Sequence, residues 1–344
     1  MVEAMVVNRK DLLKQLESVV AGLAVKETIE QSNCFVFKNG NVSTFNDEIF
    51  CSIDCSLKGI ESSVMANQML ALLRKWTAES IKVKVIDGGL RFFQGRSRCE
   101  FKSNQVVDAA RDVVESPSTW VDIPEGLVDN IRVASECVGK DRSKFALTCV
   151  HIHPDWIEAT DDIQVIRCPM NTGVSESVLV RASAIVQVLK SAVVQWSVTP
   201  NWIHFCTDDG LTLSCRKYLF KYPDVGRFFE CQGEKCELPD GIESIVSKCA
   251  IFSSEYDSTD YSSKGNVVSV SLVPSAIRLS GAGKFGRYEE EVKSNYSGKP
   301  IRFLLSPNLL VRIAKWKNCL VGTGKLKVQT DNWSYVTCIA KIGE

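Results

Sequence analysis

Apolar residues along this chain change spacing in a regular way: short stretches at helical spacing give way to stretches where apolar and polar residues alternate. The clearest copy lies between residues 181 and 217. Arg181-Ala-Ser-Ala-Ile-Val-Gln-Val-Leu-Lys190 places Ile185, Leu189 and Val193 on one side of a helix, with Gln187 and Lys190 opposite. Trp202-Ile-His-Phe-Cys206 and Leu211-Thr-Leu-Ser-Cys215 then read as strands. They meet at Asp208-Asp-Gly210, where Asp-Gly tolerates the positive φ of a hairpin turn. The unit is one short amphipathic helix followed by a small antiparallel sheet.

Similar helix openings begin near Arg9, Ala66, Pro124, Arg181, Pro239 and Ser306, at intervals of 57, 58, 57, 58 and 67 residues. A fixed period signals one supersecondary unit reused to bury a shared core. Taken in pairs, the units predict an α+β fold of three repeated domains, 1–118, 119–233 and 234–344, each with two helices packed on antiparallel sheets. In the first, strands over 34–37 and 49–53 are expected about a turn at Lys38-Asn-Gly40. Linkers are expected at Ser116-Pro-Ser118 and at Cys231-Gln-Gly-Glu-Lys-Cys236. The longer last interval holds Glu255-Tyr-Asp-Ser-Thr-Asp-Tyr-Ser-Ser-Lys-Gly265, a polar insertion expected as a surface loop.

Composition narrows the class. No continuously apolar stretch is long enough to span a bilayer and no signal-like core opens the chain, so a soluble, unexported, cytoplasmic protein without a membrane partner is expected. Fourteen cysteines scattered through strand and helix patterns suggest reduced thiols. Lys plus Arg equals Asp plus Glu at 41 each, which argues against gripping nucleic acid by bulk charge while leaving room for charges sorted onto different faces.

Candidate chemistry is sparse. Gly281-Ala-Gly-Lys-Phe-Gly286 spells a dinucleotide fingerprint, but Arg287-Tyr-Glu-Glu-Glu-Val292 lacks the apolar face of the helix that must follow, so a glycine-rich hairpin is expected. Cys149, His151 and His153 alternate along one strand face and could hold a metal, though no fourth ligand is evident. Asp161-Asp162 reads as a turn, not a catalytic carboxylate pair. No active site, metal or cofactor is expected.

Basic residues are more telling. Lys10 and Lys14, Arg74 and Lys75, Arg132, Lys190, Lys248, and Arg312 and Lys315 supply every expected helix with cations on its polar side, so the helices are expected to make one basic surface while the strands carry the acid. Helices packed about 10 Å apart in a closed circle of six leave a bore under ~10 Å. Twelve helices from two chains open it to roughly 28 Å, and duplex DNA is about 20 Å across.

On these residues, and on Gly95-Arg-Ser-Arg98, Ala159-Thr-Asp161, Tyr222-Pro-Asp224, Ala250-Ile-Phe-Ser-Ser-Glu255 and Tyr335-Val-Thr-Cys-Ile-Ala-Lys-Ile342, the chain resembles the bacterial sliding clamps, the beta subunits of DNA polymerase III. The resemblance spans essentially the whole chain. It implies the DNA clamp fold and a non-catalytic homodimeric ring around double-stranded DNA, held topologically and without reading sequence. The partners it implies are a clamp loader, the replicative polymerase and other proteins bearing short clamp-binding peptides. The source stays open between bacterium, plasmid and phage.

By resemblance, the peptide groove would use Leu147, Thr160, Asp162, Ile163, Gln164 and Val165, a second wall of Pro223, Arg227 and Phe228, and a floor of Val336, Cys338, Ile339 and Ala340. Asp162-Ile-Gln-Val165 departs from the family's usual Gly-His-Arg-Leu, so the preferred peptide is expected to differ. Lys26 matches a DNA-touching loop, and Cys99 and Phe101 of one subunit would meet Ile251 and Phe252 of the other. Two other readings remain: a repeat scaffold or DNA-coating protein that closes no ring, and a metal hydrolase centred on His151 and His153.

Overall fold

The computed structural model describes residues 4–107, 113–253, 266–284 and 286–341. The polar insertion over 255–265 lies outside them. Six α-helices are present among the described residues: α1 (Arg9–Ser18), α2 (Ala66–Lys75), α3 (Leu127–Ser135), α4 (Ala182–Val188), α5 (Ile242–Phe252) and α6 (Pro307–Trp316). Each begins at or within three residues of its expected opening. None is long and apolar enough to cross a membrane.

The strands up to the middle of the chain are β1 (Met5–Asn8), β2 (Cys34–Lys38), β3 (Asn41–Phe45), β4 (Ile49–Asp54), β5 (Ser62–Met65), β6 (Ser80–Ile86), β7 (Gly89–Gln94), β8 (Ser97–Asn104), β9 (Val121–Asp122), β10 (Cys149–His153), β11 (Trp156–Thr160) and β12 (Gln164–Pro169). Then come β13 (Val178–Arg181), β14 (Val193–Val198), β15 (Trp202–Thr207), β16 (Thr212–Tyr218), β17 (Gly233–Glu237), β18 (Val268–Val273), β19 (Ala276–Gly283), β20 (Gly286–Lys293), β21 (Ile301–Leu305), β22 (Asn318–Gly322), β23 (Lys325–Gln329), β24 (Ser334–Cys338) and β25 (Ala340–Lys341).

The chain divides into two compact units. The first takes residues up to Glu136, Arg142–Asp155 and Met170–Lys221. Its strands pair antiparallel in the order β1-β6-β7-β8-β5-β2-β3-β4-β16, from which one branch runs on through β15, β14 and β9 and another through β13 and β10. Leu12 and Leu16 of α1 and Met69 and Leu73 of α2 are fully buried where the two helices pack together. Asn8 caps α1 by accepting from the N–H groups of Lys10 and Asp11 at 2.8 and 3.2 Å. Buried Arg9 reaches from the same end to the carbonyls of Leu73 and Ala78, satisfying the open C-terminus of α2. Helices α3 and α4 pack together through Leu127, Ile131, Ile185 and Val188.

The second unit holds the remainder. Its sheets run β11-β12-β24-β23-β22-β17 and β20-β19-β18-β21-β25, all antiparallel, with α5 packed on α6. The glycine-rich stretch is the β19–β20 hairpin, and no helix follows it. A Cβ at Gly281 would lie 1.9 Å from the Cys249 carbonyl, so glycine is required by the close approach of α5.

Four expectations are corrected. Residues 231–236 do not form a linker: β17 pairs with β22 over its whole length, with Cys236 buried. The turn at Lys38-Asn-Gly40 leads into β3, not directly towards β4, because positive φ at Asn39 and Gly40 closes a tight hairpin. Strands β1, β5 and β14 lie where no strand was expected, and Val193 opens β14 instead of extending α4. Acid is not confined to strands, since Asp11 and Glu17, Asp129 and Glu243 lie in α1, α3 and α5.

Candidate functional site

The residues expected in the groove centre on the turn from β11 to β12, as Asp161-Asp162 was expected to form. Thr160 Oγ1 donates to the Gln164 carbonyl at 2.7 Å, and Asp161 Oδ1 accepts from the N–H groups of Ile163 and Gln164 at 3.0 and 2.9 Å. Asp162 takes φ +78°, a conformation short polar side chains tolerate. Ile163 is left 50% exposed, while its carbonyl accepts from the Cys338 N–H at 2.8 Å.

The two faces of this turn do different things. Gln164 is buried: its Nε2 donates to Asp161 Oδ2 at 2.8 Å, and its Oε1 accepts from Arg312 Nη1 and from the Tyr335 hydroxyl, each at 2.9 Å. Burial holds the Tyr335 phenol above its ordinary pKa. Thr160 is buried likewise. Both therefore shape the turn from inside. Val165, Val225 and Val336 form a buried apolar cluster with Phe229 packed against it.

Beside that cluster Phe228 is 39% exposed, with Lys325 Nζ 5.3 Å from its ring centre. Lys325 and Lys327 also fasten this segment by donating to the carbonyls of Arg227 and Phe229 at 3.3 and 3.1 Å. Arg167 lies between Trp156 and Phe229, 4.4 and 4.9 Å from the ring centres, and bonds buried Glu158 at 2.8 Å. A cavity of about 710 Å³ opens next to Ile163, lined also by Asp162, Leu304, Pro307, Cys338 and Ile339, with Ala340 at its edge. Ile163, Asp162, Cys338, Ile339 and Ala340 are thus brought to one concavity. Leu147 is buried in the other unit.

Sequence reasoning missed Phe229, Arg167, Leu304 and the lining role of Pro307. Pro307 was legible as a helix start but not as a cavity wall, and Phe229 stands next to Phe228 in an undifferentiated aromatic pair.

Among the candidate DNA contacts, Lys10, Lys26, Lys75 and Lys315 are exposed, as is Lys190, whose Nζ donates to Gln187 Oε1 at 2.6 Å. Others are engaged. Lys14 pairs with Asp209 at 3.5 Å, Arg74 with Glu17 at 2.9 Å and Lys248 with Glu290 at 2.7 Å. Arg132 donates to the Leu189 carbonyl at 2.6 Å, and Arg312 is turned inward to Gln164. Exposed ion pairs of this kind remain available to exchange partners at little cost.

Two of the sheet edges carry exposed charge. Residues 97–102 of β8 pair only with β7 and display Arg98 and Lys102, with Arg96 in the preceding turn. Phe101 is buried edge-on against Phe92, and Cys99 is half-buried. Strand β20 pairs only with β19 and displays Arg287, Glu289, Glu291 and Lys293, with Glu289 paired to Arg287 and Glu291 to Arg278. Near it Phe252 stacks on Tyr288, 6.0 Å between ring centres, and Ile251 is 79% exposed.

Among the described residues no cluster of three His, Cys, Asp or Glu side chains is placed to hold a metal. Cys149 is buried, and the His151 and His153 rings stand 6.0 Å apart on the strand surface.

No protein-family model matches the chain, and no curated protein matches it in sequence. Solved structures do: the fold is that of the DNA sliding clamps. The DNA polymerase III subunit beta from Pseudomonas aeruginosa is similar over 99% of this chain and 100% of its own, with a TM-score of 0.84 and 17% identity. A DNA polymerase sliding clamp from Bacillus subtilis is similar over 98% and 99%, with a TM-score of 0.80 and 13% identity. The Pseudomonas aeruginosa clamp bound to griselimycin gives 0.82 at 17% identity, over 98% and 99%.

Proposed function

We propose that this chain is a DNA sliding clamp: two copies close head to tail into a ring around duplex DNA, and partner proteins dock by short peptides on the Ile163–Phe228 surface. The observation that carries the reading is the clamp fold along 99% of the chain. In this reading three clamp domains follow one another, each supplying two helices to the inner wall.

The exposed edges support the closure. One strand edge, with Arg96, Arg98 and Lys102 against Glu100, is net basic, and the other, with Glu289, Glu290 and Glu291 against Arg287 and Lys293, is net acidic, the sense that a head-to-tail contact between different surfaces needs. Lys10, Lys26, Lys75, Lys190 and Lys315 then meet phosphates without reading bases. A polymerase and a loader are the partners such a ring requires. Its peptide would bring apolar side chains to Ile163, Phe228 and the Leu304–Pro307 cavity.

Retention tests this directly. Once loaded, the protein should stay on nicked circular DNA and leave the same DNA within minutes of linearisation. Equal retention on both forms would overturn the reading.

A further inference from the structure

The corrected linker carries a second chemistry. Strand β17 pairs with β22 in unbroken register, which sets Cys236 directly opposite Cys319. The next pair along, two residues on, is closed by the Leu238 N–H donating to the Lys317 carbonyl at 2.8 Å. Cys236 and Cys319 share that phase of the ladder, for which Cα atoms lie about 5.5 Å apart. That Cα separation lies within the range a disulfide spans, and the two Cβ atoms, about 5.5 Å apart in such a pair, must close by about 1 Å as the bridge forms. Both are free thiols, 3% and 7% exposed.

The pair is not sealed. A cavity of about 680 Å³ is lined by Cys236, Cys319, Cys231, Lys235, Tyr296 and Lys327. We propose that Cys236 and Cys319 are a reactive thiol pair that a hydroperoxide entering this cavity joins into a cross-strand disulfide.

The neighbouring Cys319 thiol lowers the Cys236 pKa against the effect of burial, and Cys236 together with burial raises that of Cys319. With Cys236 taken as the first nucleophile the pair reacts in two steps, and the reverse order gives the same disulfide. The Cys236 thiolate attacks the peroxide: an S–O bond forms, the O–O bond breaks, and the alkoxide or hydroxide leaves with a proton as alcohol or water. Cys319 then attacks the sulfenic sulfur, an S–S bond forms, and hydroxide leaves with the Cys319 proton as a second water. Two thiols and one peroxide give one disulfide, and the electrons balance. The product pins β17, which follows the groove wall at Phe228, to β22. This inference stands independently of the ring.

The full chain, reduced and then treated with hydrogen peroxide, is alkylated and mapped under non-reducing conditions. One linked peptide pair carrying Cys236 and Cys319 is expected, reversed by dithiothreitol. Thermal unfolding should shift upward by about 5–10 °C, because the bridge closes a long loop. Cys236→Ser and Cys319→Ser should each remove the linked pair, and Cys231→Ser should keep it. Recovery of both thiols as alkylated cysteines, at a dose that oxidises half-exposed Cys206 and Cys231, would overturn the proposal. So would a linked pair that persists in Cys236→Ser. The map of the unaltered chain decides the matter even if a serine variant folds poorly.

Discussion

Arg312 of helix α6 donates to the side-chain oxygen of Gln164 on strand β12 at 2.9 Å, and the Tyr335 hydroxyl shares that acceptor. A helix-face arginine and a groove-turn glutamine, which the sequence suggested for two different ligands, are therefore partners of each other inside the second unit. Gln164→Ala should leave both donors without this acceptor and cost about 1–3 kcal/mol in urea unfolding. A neutral result would show that water replaces the amide.

Ile163, which lines the cavity, is 50% exposed, and Phe228 is 39% exposed, so neither is a core side chain. Ile163→Asp and Phe228→Ala should each weaken binding of an apolar partner peptide by roughly tenfold or more, read by fluorescence anisotropy, with unfolding midpoints nearly unchanged. Unaltered affinity in both variants would place the docking surface elsewhere.

Glu289 and Glu291 sit on the edge strand β20, paired with Arg287 and Arg278, and Ile251 of α5 is 79% exposed. Native mass spectrometry should find two copies for the unaltered chain and one for Glu289→Lys/Glu291→Lys or for Ile251→Asp. High salt should weaken association through the acidic edge more than association through Ile251. A dimer unaffected by all of these would require another interface.

His204 is 1% exposed, with Nδ1 2.8 Å from Ser214 Oγ and Nε2 3.0 Å from Thr199 Oγ1. Burial holds its pKa down at about 4, against a smaller opposing pull from Glu115. The unfolded chain therefore binds this proton first as pH falls. Stability should drop between pH 6.5 and 4, by roughly 3 kcal/mol at the lower end. His204→Gln should flatten that part of the pH profile, as followed by chemical denaturation at each pH.

Much of this architecture was legible because helix spacing is local. Leu12 and Leu16, or Leu70 and Leu73, announce their face within two turns, and all six helix starts follow. Strands β3 and β5 were not: Asn41-Val-Ser-Thr-Phe45 and Ser62-Ser-Val-Met65 pair with neighbours on both sides, which leaves no polar face to alternate. Strand β17 was hidden by its Gly, Glu and Lys, and only the distant β22 makes it a strand. At the site, sequence identified the turn but not which side chains face outward. That Gln164 points in and Ile163 out depends on Arg312 and Tyr335, which lie 148 and 171 residues away.

Gly281 leaves no room between the edge hairpin and helix α5, so the two cannot slide past each other. Any force that bends β20 outward is passed straight into the helix that carries Lys248. Lifting β20 from its place would therefore break the Lys248–Glu290 pair and open the contact at Gly281 in one motion.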